Sequence, residues 1–245
     1  MIYKIFGITF YKKDLINENV LCPICNWSGN KFAMFGLIAR DALCPKCGSL
    51  ERHRLSYFYL LSKINLFASK SIKVLHFAPE KSITSIFKMF KNIEYISCDI
   101  EPEKAMCVQD ITNITFDDNT FDIIFCSHVL EHIEDDSKAM TELFRVLHPQ
   151  GIAILQVPFG KIHPFDKTEL TTTFEDFTIT APEEREKAFG QEDHVRLYEK
   201  NDFVKRLKDS GFNVIEEKIM EAFKDEFQIK YGLSADDIIF AVTKQ

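Results

Sequence analysis

No stretch of this 245-residue chain is apolar for long enough to span a bilayer. Its first residues, MIYKIFGITFYKK, are apolar only in short pieces and lack a small-residue cleavage site. Neither a signal peptide nor an anchor is therefore expected, and the expected location is the cytoplasm, with no membrane partner. Internal repeats and low-complexity tracts are missing too, which leaves an ordinary globular class. There is no full disulfide framework to be made from seven cysteines. Four stand in two Cys-x-x-Cys pairs and three lie in or near apolar segments, a pattern that suits a reducing compartment and one metal site.

What is present is 46% apolar residues, ample for one α/β domain with an appendage. The net charge of -7 is unevenly spread: residues 1–63 carry nine Lys/Arg against four Asp/Glu, and the remainder 21 against 33. A basic head on an acidic body meets an anionic partner or is simply a solvated surface.

Cys22-Pro-Ile-Cys25 and Cys44-Pro-Lys-Cys47 are separated by 18 residues, the spacing of a four-thiolate zinc ribbon. Each pair puts two sulfurs on one face of a tetrahedron, with Gly29 and Gly48 expected to permit the turns. Four protein ligands leave no open position, so the zinc expected on Cys22, Cys25, Cys44 and Cys47 is structural; a redox dithiol is the rival reading. Residues 1–50 are read as this head and 51–245 as the larger domain.

Beyond the head, Ser49–Phe67 shows near-helical spacing at Leu50, Leu55, Phe58, Leu61 and Ile64 or Leu66, with Arg52, His53 and Arg54 at its start. IKVLHF (72–77) predicts a buried strand, then Ala78-Pro79-Glu80 and a helix to about Lys91 with Pro79 in its first turn. Ile93–Cys98 predicts a second strand ending in Asp99, placed to hold a ribose or merely to cap a turn. Ala105–Val108 predicts a short strand leading to Gln109-Asp110-Ile111. Phe121–Cys126 is an apolar run followed by a polar corner at Ser127 and His128, a helix ending near Leu147, a Pro-Gln-Gly turn and a further run from Ile152 to Val157. This alternation predicts a doubly wound parallel sheet whose working edge is the carboxyl ends of its strands.

Residues 159–199 have no sustained period and include Gly190-Gln191-Glu192-Asp193-His194-Val195-Arg196, which reads as a lid or binding loop. A helix over Asn201–Ser210 capped by Gly211, a strand over Phe212–Ile219, a short helix or flap in 220–234 and a strand over Asp236–Thr243 complete the pattern.

FDIIFCSHVLEH (121–132) and RVLHPQG (145–151) resemble the class I S-adenosylmethionine-dependent methyltransferases, more narrowly the small-molecule group of the UbiE and methyltransferase type 11 kind. The resemblance covers residues 72 to about 243. It implies a Rossmann-like seven-stranded sheet with the last strand antiparallel, and S-adenosyl-L-methionine bound over the first four strand ends. It further implies that Asp99, with Ile100 beside it, holds the ribose, that Asp110 and Ile111 flank the adenine, and that Ser127 lies near the methionine portion. The usual glycines of the first turn are replaced by His76-Phe77-Ala78-Pro79-Glu80, so the methyl donor's amino-acid end is expected to meet His76, Phe77, Ala78 and Glu80 along an altered path. The zinc head, the HFAPE turn and the GQEDHVRLY loop together resemble a distinct subgroup.

Methyl transfer is an in-line displacement that needs alignment, exclusion of water and, for a hydroxyl acceptor, a general base. His194, with Glu192 or Asp193 beside it, and His128 are the candidate bases, with His163 behind them; a plain surface histidine is the alternative for His194. Arg196 is a candidate for holding an acceptor carboxylate or phosphate, or forms a structural ion pair. Glu131 and His132 are expected to cap or pack, and Cys98, Cys107 and Cys126 to be small buried hydrophobes. Three functions fit: methylation of an oxygen or nitrogen on a small molecule or glycan; methylation of a ribosomal RNA base, against which the acidic body counts; and a non-catalytic zinc-binding scaffold with a degenerate donor site.

Overall fold

The computed structural model describes residues 2–5, 8–11, 19–36, 40–63, 70–222, 225–233 and 238–244. Six short strands come first, paired antiparallel in sequence order: β1 (Ile2–Ile5) with β2 (Ile8–Tyr11), β3 (Val20–Leu21) with β4 (Ser28–Gly29), and β5 (Ala33–Phe35) with β6 (Arg40–Leu43). There follow α1 (Glu51–Lys63), β7 (Ile72–Phe77), α2 (Lys81–Phe87), β8 (Ile93–Asp99), β9 (Cys107–Val108), β10 (Phe121–Ser127), α3 (Asp136–Val146) and β11 (Leu147–Gln156). The chain ends with β12 (Phe174–Glu175), α4 (Pro182–Phe189), β13 (Arg196–Leu197), α5 (Lys200–Asp209), β14 (Asn213–Glu217), α6 (Asp225–Tyr231) and β15 (Ile239–Thr243). Among the described residues no helix is long and apolar enough to cross a membrane.

Two compact units form, one of residues 1–72, 80–94 and 216–239, the other of 73–79, 95–215 and 240–245. The second holds a seven-stranded sheet in the order β14-β15-β11-β10-β7-β8-β9. β10 pairs parallel with β7 and β11, β8 parallel with β9, and β15 runs antiparallel to β11. Leu75, Ile124 and Ala153 face one another across the centre and are fully buried, as continuous apolar runs covered on both faces require. The doubly wound sheet with an antiparallel last strand is thus the observed fold.

α3 buries Ala139, Met140, Leu143 and Val146 at helical spacing, and Asp135 caps it by accepting the Lys138 N–H at 3.0 Å. The Pro-Gln-Gly turn is instead a bulge within β11: Phe121 opposes Leu147 but Ile123 opposes Ile152. Gly151 permits it, since a Cβ there would lie 2.9 Å from the carbonyl oxygen of Asp122. The 159–199 segment is more structured than its pattern predicts. β12 pairs with β13, and α4 fits between them in a stretch, PEEREKAF, whose few apolar residues give no helical signal.

In the first unit α1 buries Leu55, Phe58, Tyr59 and Leu60, and the Phe58 ring meets Phe227 and Tyr231 at 5.1 and 5.0 Å. The expected continuation of this helix over 64–67, and the start of the last strand at 236–237, lie outside the described residues. α2 is shorter than predicted and Pro79 precedes its N-cap, Glu80, rather than occupying the first turn. Residues 51–72, 80–94 and 216–239 group with the cysteine segment, so the unit boundary is not a single cut near residue 50.

Candidate functional site

The carboxyl ends of β7, β8 and β10 and the loop after β9 enclose a cavity of about 420 Å³, within the range of small-molecule sites. Phe77 and Ala78 come from β7, Asp99 and Ile100 from β8, Asp110 and Ile111 from the loop after β9, and His128 and His132 from the segment after β10. Six of the nine residues expected at the methyl donor therefore meet at one cavity. Asp99 Oδ1 accepts the Glu101 N–H at 2.9 Å, and Asp110 Oδ1 accepts from Thr112 N–H and Oγ1 at 2.8 Å each, so both carboxylates also hold turns.

The glycine-free first turn still takes a glycine-like path. Ala78 has φ +46°, in the left-handed region, and its N–H donates to Cys98 O at 2.9 Å. His128 at the end of β10 does the same, with φ +55° and an N–H donated to Gln156 O at 2.8 Å. The requirement for glycine is thus replaced by strain at two rim positions, a feature found where structure serves a site.

The other three expected donor residues lie elsewhere. His76 is buried in the sheet, 3.0 Å from Tyr95 Oη and edge-on to Phe125, because alternation along β7 turns Phe77 and not His76 to the cavity. Glu80 belongs to the first unit, where Arg52 Nη2 donates to Oε1 at 2.8 Å and His53 Nε2 lies 2.6 Å from the same oxygen. Burial alone would raise the Glu80 carboxyl, but the hydrogen bond and charge of His53, with Arg52, hold it down to about 2. Ser127 is buried and its Oγ has no hydrogen-bond partner among the described residues. Such an orphan is the kind of group a bound ligand satisfies.

Glu131 gathers the histidines. It sits on a 3-10 turn, Leu130–His132, and its side chain is 0% exposed, 3.2 Å from His128 Nδ1 and 4.0 Å from His194 Nε2. The 3.2 Å contact is an ion-pair distance without hydrogen-bond alignment. The His132 ring stands edge-on to His194 with centroids 4.8 Å apart. His194, read from sequence as a loop histidine over the site, has a side chain only 4% exposed, whereas His128, on the cavity wall, is 31% exposed. Burial lowers the basicity of His194 and Glu131 opposes this, so the ring is held neutral at neutral pH. Glu131 does not merely cap or pack; its only sequence signal is the His-x-x-Glu-His spacing straight after a strand. His163 pairs with Asp166 at 3.1 Å and packs on Phe174.

Arg196 does not face an acceptor. It is 1% exposed, and its guanidinium donates to Glu175 Oε1 at 2.7 Å and to the carbonyls of Leu130, Ile133 and Glu134 at 3.0, 2.6 and 2.8 Å. It clamps β13 to the turn that carries Glu131. Tyr198 Oη donates to Asp136 Oδ2 at 2.6 Å and Arg206 joins Asp136 to Glu175, which ties the 159–199 segment down.

The cysteine knuckles form a separate cluster. Cys22 and Cys47 Sγ are 3.6 Å apart, as are Cys25 and Cys44, and all four lie within 4.8 Å of one another. A tetrahedral zinc ion with bonds of about 2.3 Å spaces its sulfurs by about 3.8 Å, so the set fits one. Gly48 (φ +74°) turns the second knuckle, but Asn26 (φ +56°), not Gly29, turns the first. Gly29 instead makes room for Trp27, whose ring would come within 2.7 Å of a Cβ. Arg54, fully buried, donates to Ala42 O, Ser49 O, Tyr231 O and Gly232 O at 2.9, 3.0, 2.6 and 3.0 Å. None of these four acceptors is a carboxylate, and the charges that favour its guanidinium come from Cys22, Glu51, Cys44 and Cys47.

Residues 71–155, from β7 to β11, match the family model described as a methyltransferase domain. The chain is 27% identical over 121 residues to the sterol 24-C-methyltransferase erg6 of Schizosaccharomyces pombe, a match that spans 48% of this chain and 29% of that protein. Among solved structures, the [4+2]-cyclase SpnF superposes with a TM-score of 0.52 at 14% identity over 78% of this chain and 81% of its own. The carbon methyltransferase CurJ does so with a TM-score of 0.50 at 14% identity over 78% and 53%. A cyclase among them shows that this fold alone does not fix the reaction. Together, the domain match and the shared sheet identify the chain as one built on the Rossmann-like fold of its methyltransferase neighbours, with residues 71–155 matching a methyltransferase domain.

Proposed function

We propose that this chain is an S-adenosylmethionine-dependent methyltransferase whose acceptor is an oxygen or nitrogen of a small molecule or glycan. The observation that carries the reading is the convergence on one cavity of Asp99, at the end of β8, with Asp110 and Ile111. Asp99 is placed to accept the two ribose hydroxyls, Ile111 to wall the adenine and Asp110 to reach its edge. When bound, the sulfonium supplies an electrophilic methyl group. His128, exposed on the cavity wall and backed by Glu131, takes the acceptor proton, while buried His194 and Arg196 position the Glu131 turn.

Cys22, Cys25, Cys44 and Cys47 hold a structural zinc ion in the first unit, and the 159–199 segment frames the acceptor side. Reduced thiols and this zinc site fit the cytoplasm. The acidic body of residues 64–245, 21 Lys/Arg against 33 Asp/Glu, speaks against an RNA acceptor.

Calorimetry with S-adenosylhomocysteine on zinc-loaded protein tests the reading. Binding is expected, weakened at least ~10-fold by Asp99→Ala, the loss of ~1.4 kcal/mol or more that a charge-assisted hydrogen-bond pair supplies. Absence of binding to folded wild-type protein refutes it. Once an acceptor is found, His128→Ala should lower kcat and leave S-adenosylhomocysteine affinity nearly unchanged.

A further inference from the structure

We propose that Glu131, His132 and His194 form a second metal site, for a divalent transition-metal cation, in the wall of the cavity. The three offer two imidazole nitrogens and a carboxylate oxygen, all within 4.8 Å of one another. Around a tetrahedral ion with bonds of about 2.0 to 2.2 Å, ligand atoms lie about 3.3 to 3.6 Å apart, so the set closes on an ion with side-chain movement of roughly an ångström.

The hydrogen bonds outside the cluster point the ligand atoms inward. His194 Nδ1 lies 3.3 Å from Phe189 O, and a carbonyl only accepts, so Nδ1 carries the proton and Nε2 turns its lone pair to Glu131. His132 Nδ1 is in the same way 3.3 Å from Asp193 O and 3.4 Å from Asp193 Oδ2, which leaves its Nε2 as the ligand atom. Metal-bound histidines are oriented by such outer partners. Inside the cluster the polar atoms are left over: both Glu131 oxygens and His194 Nε2 are buried and lack a hydrogen-bond partner among the described residues. A proton shared between His194 and Glu131 does not resolve this, because 4.0 Å is too long for a hydrogen bond. Apart from His128 Nδ1, 3.2 Å from Oε1 but not aligned for a hydrogen bond, the fully buried carboxylate faces two imidazole lone pairs, a repulsion that a cation among them relieves.

The supporting frame is rigid. Arg196 pins the Leu130 and Ile133 carbonyls on either side of Glu131, and the Val195 N–H donates to Glu131 O at 2.9 Å. The ligand set differs in kind from the cysteine cluster. Three protein ligands leave a coordination position open, and His128 and His132 line the cavity beside it, so a water or an acceptor oxygen completes the shell. Two imidazoles with one carboxylate suit zinc, cobalt, iron or manganese and not calcium or magnesium, which take oxygen ligands.

The test is a cobalt titration of the full chain already loaded with one equivalent of zinc. The expected result is saturable binding of one further cobalt ion, with the weak visible absorption of nitrogen and oxygen ligation and no thiolate charge-transfer band. Glu131→Gln and His132→Ala should each weaken that binding at least ~10-fold, the usual cost of a lost ligand or of its orienting partner. His132 is only half-buried, so His132→Ala serves if Glu131→Gln fails to fold. No second equivalent in folded wild-type protein, or one of unchanged affinity in His132→Ala, overturns the proposal. S-adenosylhomocysteine calorimetry on the same sample reports on the methyl-donor site separately.

Discussion

Replacing Glu80 by glutamine isolates one buried charge cluster in the first unit. The Glu80 side chain is 19% exposed and receives Arg52 at 2.8 Å and His53 at 2.6 Å. Its carboxyl falls from the ordinary 4.5 to about 2, which at 1.36 kcal/mol per unit sets a ceiling of about 3 kcal/mol and, after solvent screening, a contribution of about 2 kcal/mol. The folded state holds its proton less tightly, so between about pH 4.5 and 2 the unfolded chain binds more protons. The stabilisation is therefore complete above pH ~4.5 and is lost as pH falls through ~2. Trp27 is the only tryptophan and packs on Phe32 in the same unit at 5.7 Å, so its fluorescence during urea unfolding reports the unit concerned. Glu80→Gln should lower the midpoint at pH 7 by the equivalent of about 2 kcal/mol, and the gap from wild type should shrink steadily between pH 4.5 and 2.5. Acid sensitivity of the cysteine cluster is common to both proteins and cancels in the difference. Equal midpoints at pH 7, or a gap that stays constant into acid, would mean that the Glu80 charge does not stabilise this unit.

Arg196→Met removes the donor to three carbonyls and to Glu175, leaving buried acceptors unpaired; a loss of about 3 to 5 kcal/mol is expected in chemical denaturation. Gly151→Ala places a Cβ 2.8 Å from Leu147 Cδ1 and 2.9 Å from two carbonyl oxygens, so the β11 bulge must shift, at a cost of roughly 2 kcal/mol or more, read as a lower melting temperature. Chelating the zinc proposed for the cysteine cluster should expose four thiols to a disulfide reagent and change Trp27 emission, since Cys22 N–H donates to Trp27 O at 2.7 Å. Unchanged thiol reactivity would argue against a bound ion.

The strands were legible because their signal is local. IKVLHF is β7 to the residue, and the run Phe121–Cys126 is β10 but for its last residue, Ser127, since apolar runs of this length suit a strand covered on both faces. The crossover helix was legible from its period, though it begins four residues after His132, beyond a 3-10 turn that no periodicity marks. Asp99 and Asp110 could be placed at strand ends and hence at the cavity. His194 and Arg196 could not be judged, because the same polar loop sequence serves a surface or an interior.

By itself, then, the amino-acid order determined the alternation of strands and helices, the polar corner at Ser127 and His128, and the two cysteine knuckles, all of which depend on spacings of a few residues. Only the tertiary structure decided that Ala78 and His128 take the left-handed turn glycine would otherwise occupy, that Arg196 is spent on carbonyls 62 to 66 positions away, and that three histidines close on one buried glutamate. Burial of a polar side chain is settled by partners distant in the chain, and a local pattern carries no record of them.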